Sequence, residues 1–446
     1  MSHAIVIGSS IGGLTAAHVL SQTFDRVTVI DRDQVSDKVQ VRKGVPQGNH
    51  AHAILRRGLN IMEQHFPGLT SDLRSGSAEW MNFGSDTRFY IFGGWRPEYR
   101  SDIESIACSR PMLEAAIYRR MSQNPRVTII GETEIMGLCV DETGTRATGV
   151  QLKSRTTHAE STLDADLVVD TSGRDSHAPE WLEAVGYQGP EEVIVNGLAG
   201  YASRIYEPSA DFKASWKMIM IQPTAPAGKR GGLILPMENG LWQVVLLGAG
   251  GEYPPTDEAG FMEYARNLPV TDFYDAIKNA KPMSPIYGYR RTENRMRYYE
   301  KLPRYLENFL LMGDSVCSFN PMYGQGMSVA SMESVELANC ITEHRKTHEV
   351  GDFTGLAQAF QKRVANVVAM PWQLASGEDR RWLPNDKADT VTRFMQWYIE
   401  QVMRATLHNK AVTDIFYRVQ NMLDAPTLLF RPDVMTRVFM TRMMHR

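Results

Sequence analysis

Ala4-Ile5-Val6-Ile7-Gly8-Ser9-Ser10-Ile11-Gly12-Gly13 is the stretch on which the fold turns. Its first four residues are apolar without alternation, and three of them are β-branched. This is the pattern of a strand buried on both faces of a parallel sheet. Gly8 permits a tight turn, and Gly13 lets the next helix, over about residues 14–22, pack close to that sheet. The helix N-terminus then offers free backbone N–H groups and the positive end of its dipole to a pyrophosphate. Residues 26–30, Arg-Val-Thr-Val-Ile, read as a second strand ending at Asp31, where a carboxylate accepts ribose hydrogen bonds. Ser10 replaces the middle glycine of the usual fingerprint, and its short hydroxyl still lets a phosphate approach. In this strand, turn, helix, strand and acid order, the pattern predicts dinucleotide binding rather than a plain turn.

Further along, the texture changes twice. Residues 53–65 and 110–121 read as helices, and residues 83–91, 126–130 and 165–169 as strands. Residues 135–152 read as a hairpin around Glu142-Thr143-Gly144. From about residue 193 to 248, strand-like runs are broken by Pro and Gly, as in an antiparallel sheet. After residue 352 the chain reads as helices interrupted by proline. No internal repeat or low-complexity linker separates these regions. The expected division is a discontinuous dinucleotide domain (1–70, 105–185 and 305–345), an inserted antiparallel substrate domain (71–104 and 186–304) and a helical region (346–446). The fold class is α/β, with a Rossmann-like domain carrying that insertion.

A second motif lies far from the first. Residues 309–312 form a short apolar strand that runs into Gly313-Asp314. Asn320-Pro321-Met322-Tyr323-Gly324-Gln325-Gly326-Met327 follows. Asp314 can hold a polyol hydroxyl, and a helix expected to start near Tyr323 can aim N–H groups at a developing anion. Alone, these residues also fit a ligand-free strand, turn and capped helix.

Composition removes other classes. With 446 residues, 43% hydrophobic and 22% charged, the chain has the make-up of a globular enzyme, and its net charge of −3 gives no footprint for nucleic acid. Cys108, Cys139, Cys317 and Cys340 form no CxxC pair, which fits a reducing cytoplasm and argues against a thiolate metal site. No run is long and apolar enough for a membrane span, and no signal peptide is expected ahead of the first strand.

With both motifs in place, the chain resembles the FAD-dependent aromatic hydroxylase and epoxidase superfamily of flavoprotein monooxygenases. The resemblance rests on Gly8 to Gly13 with Asp31, on Arg42 in Arg42-Lys43-Gly44-Val45-Pro46-Gln47-Gly48, and on Arg110 opening a helix. It also rests on Asp170-Thr171-Ser172-Gly173-Arg174 and on Gly313-Asp314 with the following loop. Val45 to His52 and the loop after Asn320 are closest to bacterial polyether and polyketide epoxidases. The resemblance implies FAD held by Gly8, Ser10, Gly12, Gly13, Asp31, Arg32, Arg42, Arg110, Asp170, Gly313, Asp314, Gly326 and Met327. Pro321, Gly324 and Gln325 would face the flavin, with no side-chain base. One oxygen atom from O2 would pass through a flavin hydroperoxide to an apolar polyene, terpenoid or polyketide, as in secondary metabolism. The electron source would be NAD(P)H or a partner flavin reductase. Relatives that take hydride directly usually carry Asp-Gly where this chain has Asp170-Thr171, which favours the reductase. The Trp-x-Trp-x-Ile-Pro segment of flavin halogenases is absent. Three alternatives remain: an FAD-dependent reductase or dehydrogenase of an isoprenoid-like substrate, a non-redox FAD-bound cyclase, and a non-enzymatic FAD-bound partner.

Other features read more plainly. His50 and His52 flank Ala51 with no third ligand nearby, so helix-entry polarity is favoured, then contact with a phosphate or the flavin edge, and metal binding last. Arg290, Arg291, Arg295 and Arg297 read as a solvated sheet edge. Phe394, Trp397 and Tyr398 share a helical stripe that is expected to be core rather than a substrate lid.

Overall fold

The computed structural model describes residues 1–383 and 389–445. Five parallel strands form the central sheet, in the order Phe309–Leu311, Leu167–Asp170, His3–Ile7, Arg26–Ile30 and Val127–Ile130. His3–Ile7 lies in the middle and every one of its residues is buried, as an unbroken apolar run requires. Helix Ile11–Ser21 returns over this strand and packs on helix Gly326–His344. The first and second motifs, some 300 residues apart in the sequence, thus meet at the C-terminal edge of one sheet, where α/β folds bind ligands.

A meander of Thr133–Val140, Ala147–Ser154 and Glu160–Asp164 flanks this unit. The inserted sheet has eight strands, seven of them in the order Lys281–Pro282, Gly200–Glu207, Trp242–Gly248, Arg230–Pro236, Met218–Ile221, Thr87–Ile91 and Gly94–Trp95. Most of its pairings are antiparallel, as expected. Met218–Ile221 instead runs parallel to Thr87–Ile91, because these two strands reach the sheet from separate insertions. Helices Leu356–Arg380, Thr390–Ala405, Lys410–Gln420 and Pro432–Met444 complete the chain. No helix among the described residues is long and apolar enough to cross a membrane.

Several boundaries differ from the sequence reading: the first helix starts early, at Ile11, and three others shift for a local reason. The expected strand at 83–91 starts only at Thr87, because the Asn82 side chain accepts from the N–H groups of Gly84 and Ser85 and holds a turn there. The helix expected from residue 53 starts at Arg56, whose N–H is taken by Asn421 Oδ1 at 3.1 Å. The helix expected near Tyr323 starts at Gly326. Pro321–Tyr323 is a single 3-10 turn capped by Asn320, and Gly324 ends it with φ +65°. Pro371 lies buried inside Leu356–Arg380 without ending the helix.

Candidate active site

The glycine turn is held from below. Gly8 has φ +98°, and a Cβ there would lie 2.8 Å from the Thr171 carbonyl oxygen. A Cβ on Gly13 would lie 1.8 Å from the Gly8 carbonyl oxygen. The Thr171 hydroxyl donates to the Ile7 carbonyl at 2.7 Å and so ties the Asp170 to Arg174 segment to this turn. At its other side, Ser9 donates to Asp31 through N–H (2.7 Å) and hydroxyl (2.5 Å).

Ser10 has a role of its own. Its hydroxyl donates to Glu114 at 2.7 Å and accepts from Arg110 at 2.6 Å. Glu114 also takes Arg110 Nε at 2.9 Å and Arg42 Nη2 at 3.0 Å, and Arg42 reaches Asp31 at 3.2 Å. Burial opposes ionisation of Glu114, but the two guanidiniums outweigh it and bring its carboxyl down to about 2. The loss of the middle glycine is thus matched by a fixed array of two arginines and three hydrogen-bonding side chains. Glu114 was not singled out from the sequence, although its i, i+4 spacing from Arg110 on one helix was a usable signal.

A cleft of about 1640 Å³, counted out into open solvent, runs along the sheet edge. Of the expected cofactor residues, Ser10, Gly12, Arg32, Arg110, Gly313, Asp314, Gly326 and Met327 line it, as do Pro321, Gly324 and Gln325. Gly8, Gly13, Asp31 and Asp170 are not among its lining residues. Arg42 lines a smaller adjoining hollow with Ser9, Gln34 and Tyr118. Asp170 is fully buried and accepts from Ser172 N–H and the Ser176 hydroxyl, so it shapes the turn. Asp314 faces the cleft with no hydrogen-bond donor on its carboxylate among the described residues. Burial pushes its carboxyl up, opposed by Arg174 and Arg110. Behind it, buried Glu333 accepts from Gly313 N–H, and burial next to Asp314 raises it to about 8, so it is protonated at neutral pH. An elongated cleft with glycine walls, a helix N-terminus, arginines and one unpaired carboxylate fits a dinucleotide with a polyol chain.

A second cavity of about 1170 Å³ opens off the cleft. Its roof is the inserted sheet, where alternate residues Met218, Met220, Leu233, Leu235, Val245 and Leu247 point inward. Its floor is shared with the cleft through Ala51, His52, Pro321 and Gly324. Among the described residues, no Asp, Glu, Lys or Arg lines it. His50 Nδ1 sits 2.7 Å from Ser203 Oγ, with its ring against Tyr201 and Tyr289. Burial brings His50 down to about 4 and, with Arg110 adding, His52 to about 3, so both imidazoles are neutral at pH 7. Among the described residues no group of three or more His, Cys, Asp or Glu is placed to hold a metal.

The neutral His50 has a consequence for stability. The unfolded chain takes up this proton below about pH 6.5 and the fold only near 4. The contribution is therefore intact at pH 7 and lost as pH falls between those values. Wild type is expected to lose about 2 kcal/mol more than His50→Asn between pH 7 and pH 5. Urea unfolding at the two pH values measures this, and equal losses would contradict it.

The 321–324 loop is fixed from the C-terminal helices. Asp379 accepts from Asn294 (2.7 Å), Asn320 (3.1 Å) and the Tyr323 hydroxyl (2.6 Å), and burial raises it to about 6. This anchor, too, went unseen in the sequence. The expected solvated sheet edge is corrected: Arg295 and Arg297 lie on the middle strand of a three-stranded sheet, both paired with Glu192 and Arg297 buried, while exposed Arg291 pairs with Asp175 and Arg290 covers Tyr253. Tyr398 is core, whereas Phe394 is half-exposed.

Residues 1–350 match the family described as FAD binding domain, and the chain belongs to it. It binds FAD, for which the cleft has the matching donors. Protein Rv3254 of Mycobacterium tuberculosis is 29% identical over 388 residues, spanning 83% of this chain and 79% of that protein. Among solved structures, a flavoprotein/dehydrogenase from Cytophaga hutchinsonii superposes with TM-score 0.70 at 12% identity, covering 100% of both chains. p-Nitrophenol 4-monooxygenase PnpA from Pseudomonas putida does so at 0.65 and 16%, covering 95% of this chain and 99% of that one. The myxobacterial chondrochloren halogenase CndH gives 0.65 and 14%, covering 95% and 97%. These likenesses establish a shared fold.

Proposed function

We propose that this member of the FAD binding domain family is a monooxygenase that places one oxygen atom from O2 into an apolar organic substrate, by epoxidation of an alkene or by hydroxylation. One observation carries the reading: the cavity beside the flavin cleft has no ionised side chain in its lining, and both of its histidines are neutral. A pocket with no ionised group, whose two histidines burial holds far below their ordinary basicity, leaves the bond-making to the cofactor, whose reduced form activates oxygen. The protein's own residues then bind, orient and exclude water. The sheet roof supplies apolar contact, and the 321–324 loop stands between the cleft and the apolar cavity, facing both. The start of helix Gly326–His344 directs N–H groups into the cleft, a setting that stabilises negative charge. Product formed equally well without oxygen would favour the reductase or cyclase alternatives instead.

Electrons reach the flavin from a separate reductase in this reading. Thr171 lines the cleft where direct hydride acceptors carry glycine, and its hydroxyl is committed to the Ile7 carbonyl. In anaerobic stopped-flow mixing, NADPH alone is expected to bleach the flavin slowly or not at all, whereas an added flavin reductase restores bleaching. Rapid bleaching by NADPH with substrate present would contradict this.

A further inference from the structure

Beyond the flavin-side pocket lies a larger chamber, about 2590 Å³ counted out to its mouth, between helix Gly326–His344 and the C-terminal helices. Phe89, Met220, Met322, Tyr323 and Gln420 line both spaces, so the two meet at a shared constriction. The outer walls are apolar and come from separate segments: Met332, Met370, Ile399, Met403, Val419 and Leu429. Exposed Arg57, Lys362 and Asn366 mark the mouth. The charges around it are mixed, Arg57, Lys362 and Arg363 against Glu336, Glu378 and Asp424, with Arg363 held by Glu336 at 2.9 Å. Nothing there selects a charged ligand.

Hydrogen-bonding groups nonetheless recur along the route. Gln47 Oε1 and Tyr201 Oη in the inner pocket, Gln420 Oε1 at the constriction and Gln325 Oε1 in the outer chamber are buried without a protein partner. The apolar lining continues from one space to the other through Phe89, Met220 and Met322. We propose that the substrate is an elongated, uncharged, largely apolar molecule. Its reacting end occupies the flavin-side pocket, and the rest of its chain passes the constriction into the outer chamber. The proposal rests on the inner pocket being the substrate's, and it extends that pocket's role to chain length.

The probe is the series of para-alkylphenols from ethyl to decyl, titrated by calorimetry into the FAD-bound protein. Affinity is expected to rise about threefold to fourfold for each methylene that gains apolar burial, and to keep rising through the longest members. Met370→Trp, which puts a bulky ring into the wall of the outer chamber, should leave ethylphenol binding unchanged and weaken decylphenol at least about tenfold. Ile399→Trp narrows it from a different helix and should do the same, so poor folding of one variant does not decide the result. A plateau in wild type at short chains would overturn the proposal, as would an undiminished rise in both variants or no binding by any member. Because no turnover is read, a plateau here is separable from failure of the oxygen-transfer reading, which concerns product mass.

Discussion

Gly13→Ala protein is expected to be purified without its yellow cofactor and to bind added FAD at least about a hundredfold more weakly than wild type. The new Cβ would sit 1.8 Å from the Gly8 carbonyl oxygen and 2.8 Å from the Thr171 hydroxyl. Neither obstacle is the free end of a flexible side chain, so the helix must move away from the strand, and overpacking of this kind costs about 1–3 kcal/mol or more. The displacement falls on the turn that shapes the pyrophosphate site. Gly12→Ala is the control, because its Cβ would meet Ala330 at an ordinary 3.6 Å. Gly12→Ala should unfold at the wild-type temperature, since no atom has to move for it. A Gly13→Ala protein that stays yellow through dialysis would contradict the account.

The second large effect is at Gly324. This residue holds φ +65° at the end of the Pro321–Tyr323 turn, between the flavin cleft and the substrate pocket. Its Cβ would have room, with Ala53 the nearest neighbour at 3.6 Å, so the penalty is one of backbone conformation rather than of clash. A β-branched residue tolerates the left-handed region poorly and Asn tolerates it well. Gly324→Val should therefore shift the loop, admit water and divert most of the reducing power into hydrogen peroxide, with about tenfold more peroxide per NADH consumed. Gly324→Asn should remain close to wild type. Peroxide measured against product formed gives the ratio directly, and equal coupling in the two variants would remove the loop from the mechanism.

The readable part of this protein is the part encoded by neighbours in sequence. A buried strand, a glycine turn and an acid-terminated second strand lie within 31 residues, and the central sheet follows from them. Residues separated by long loops were harder to read. Ser10 looked like a defect in a fingerprint until Glu114, 104 positions away, explained its hydroxyl. Asp379 reaches back 59 positions to Asn320, and no local pattern announces a carboxylate that gathers three donors across an interface. Glu333 sits within an apolar helix face and is visible only once Gly313 lies against it. The helix start near Tyr323 was misplaced because proline opens a 3-10 turn as readily as an α-helix, and the left-handed Gly324 separates the two.

The account stands or falls on where the oxygen goes. The purified protein, FAD, NADH and a flavin reductase are incubated with a metabolite extract under isotopically labelled O2, and the products are compared by mass spectrometry with a reaction lacking the protein. The account predicts a product carrying one labelled oxygen atom more than a consumed precursor, formed only when oxygen is present. A product without label, formed equally in its absence, would contradict it.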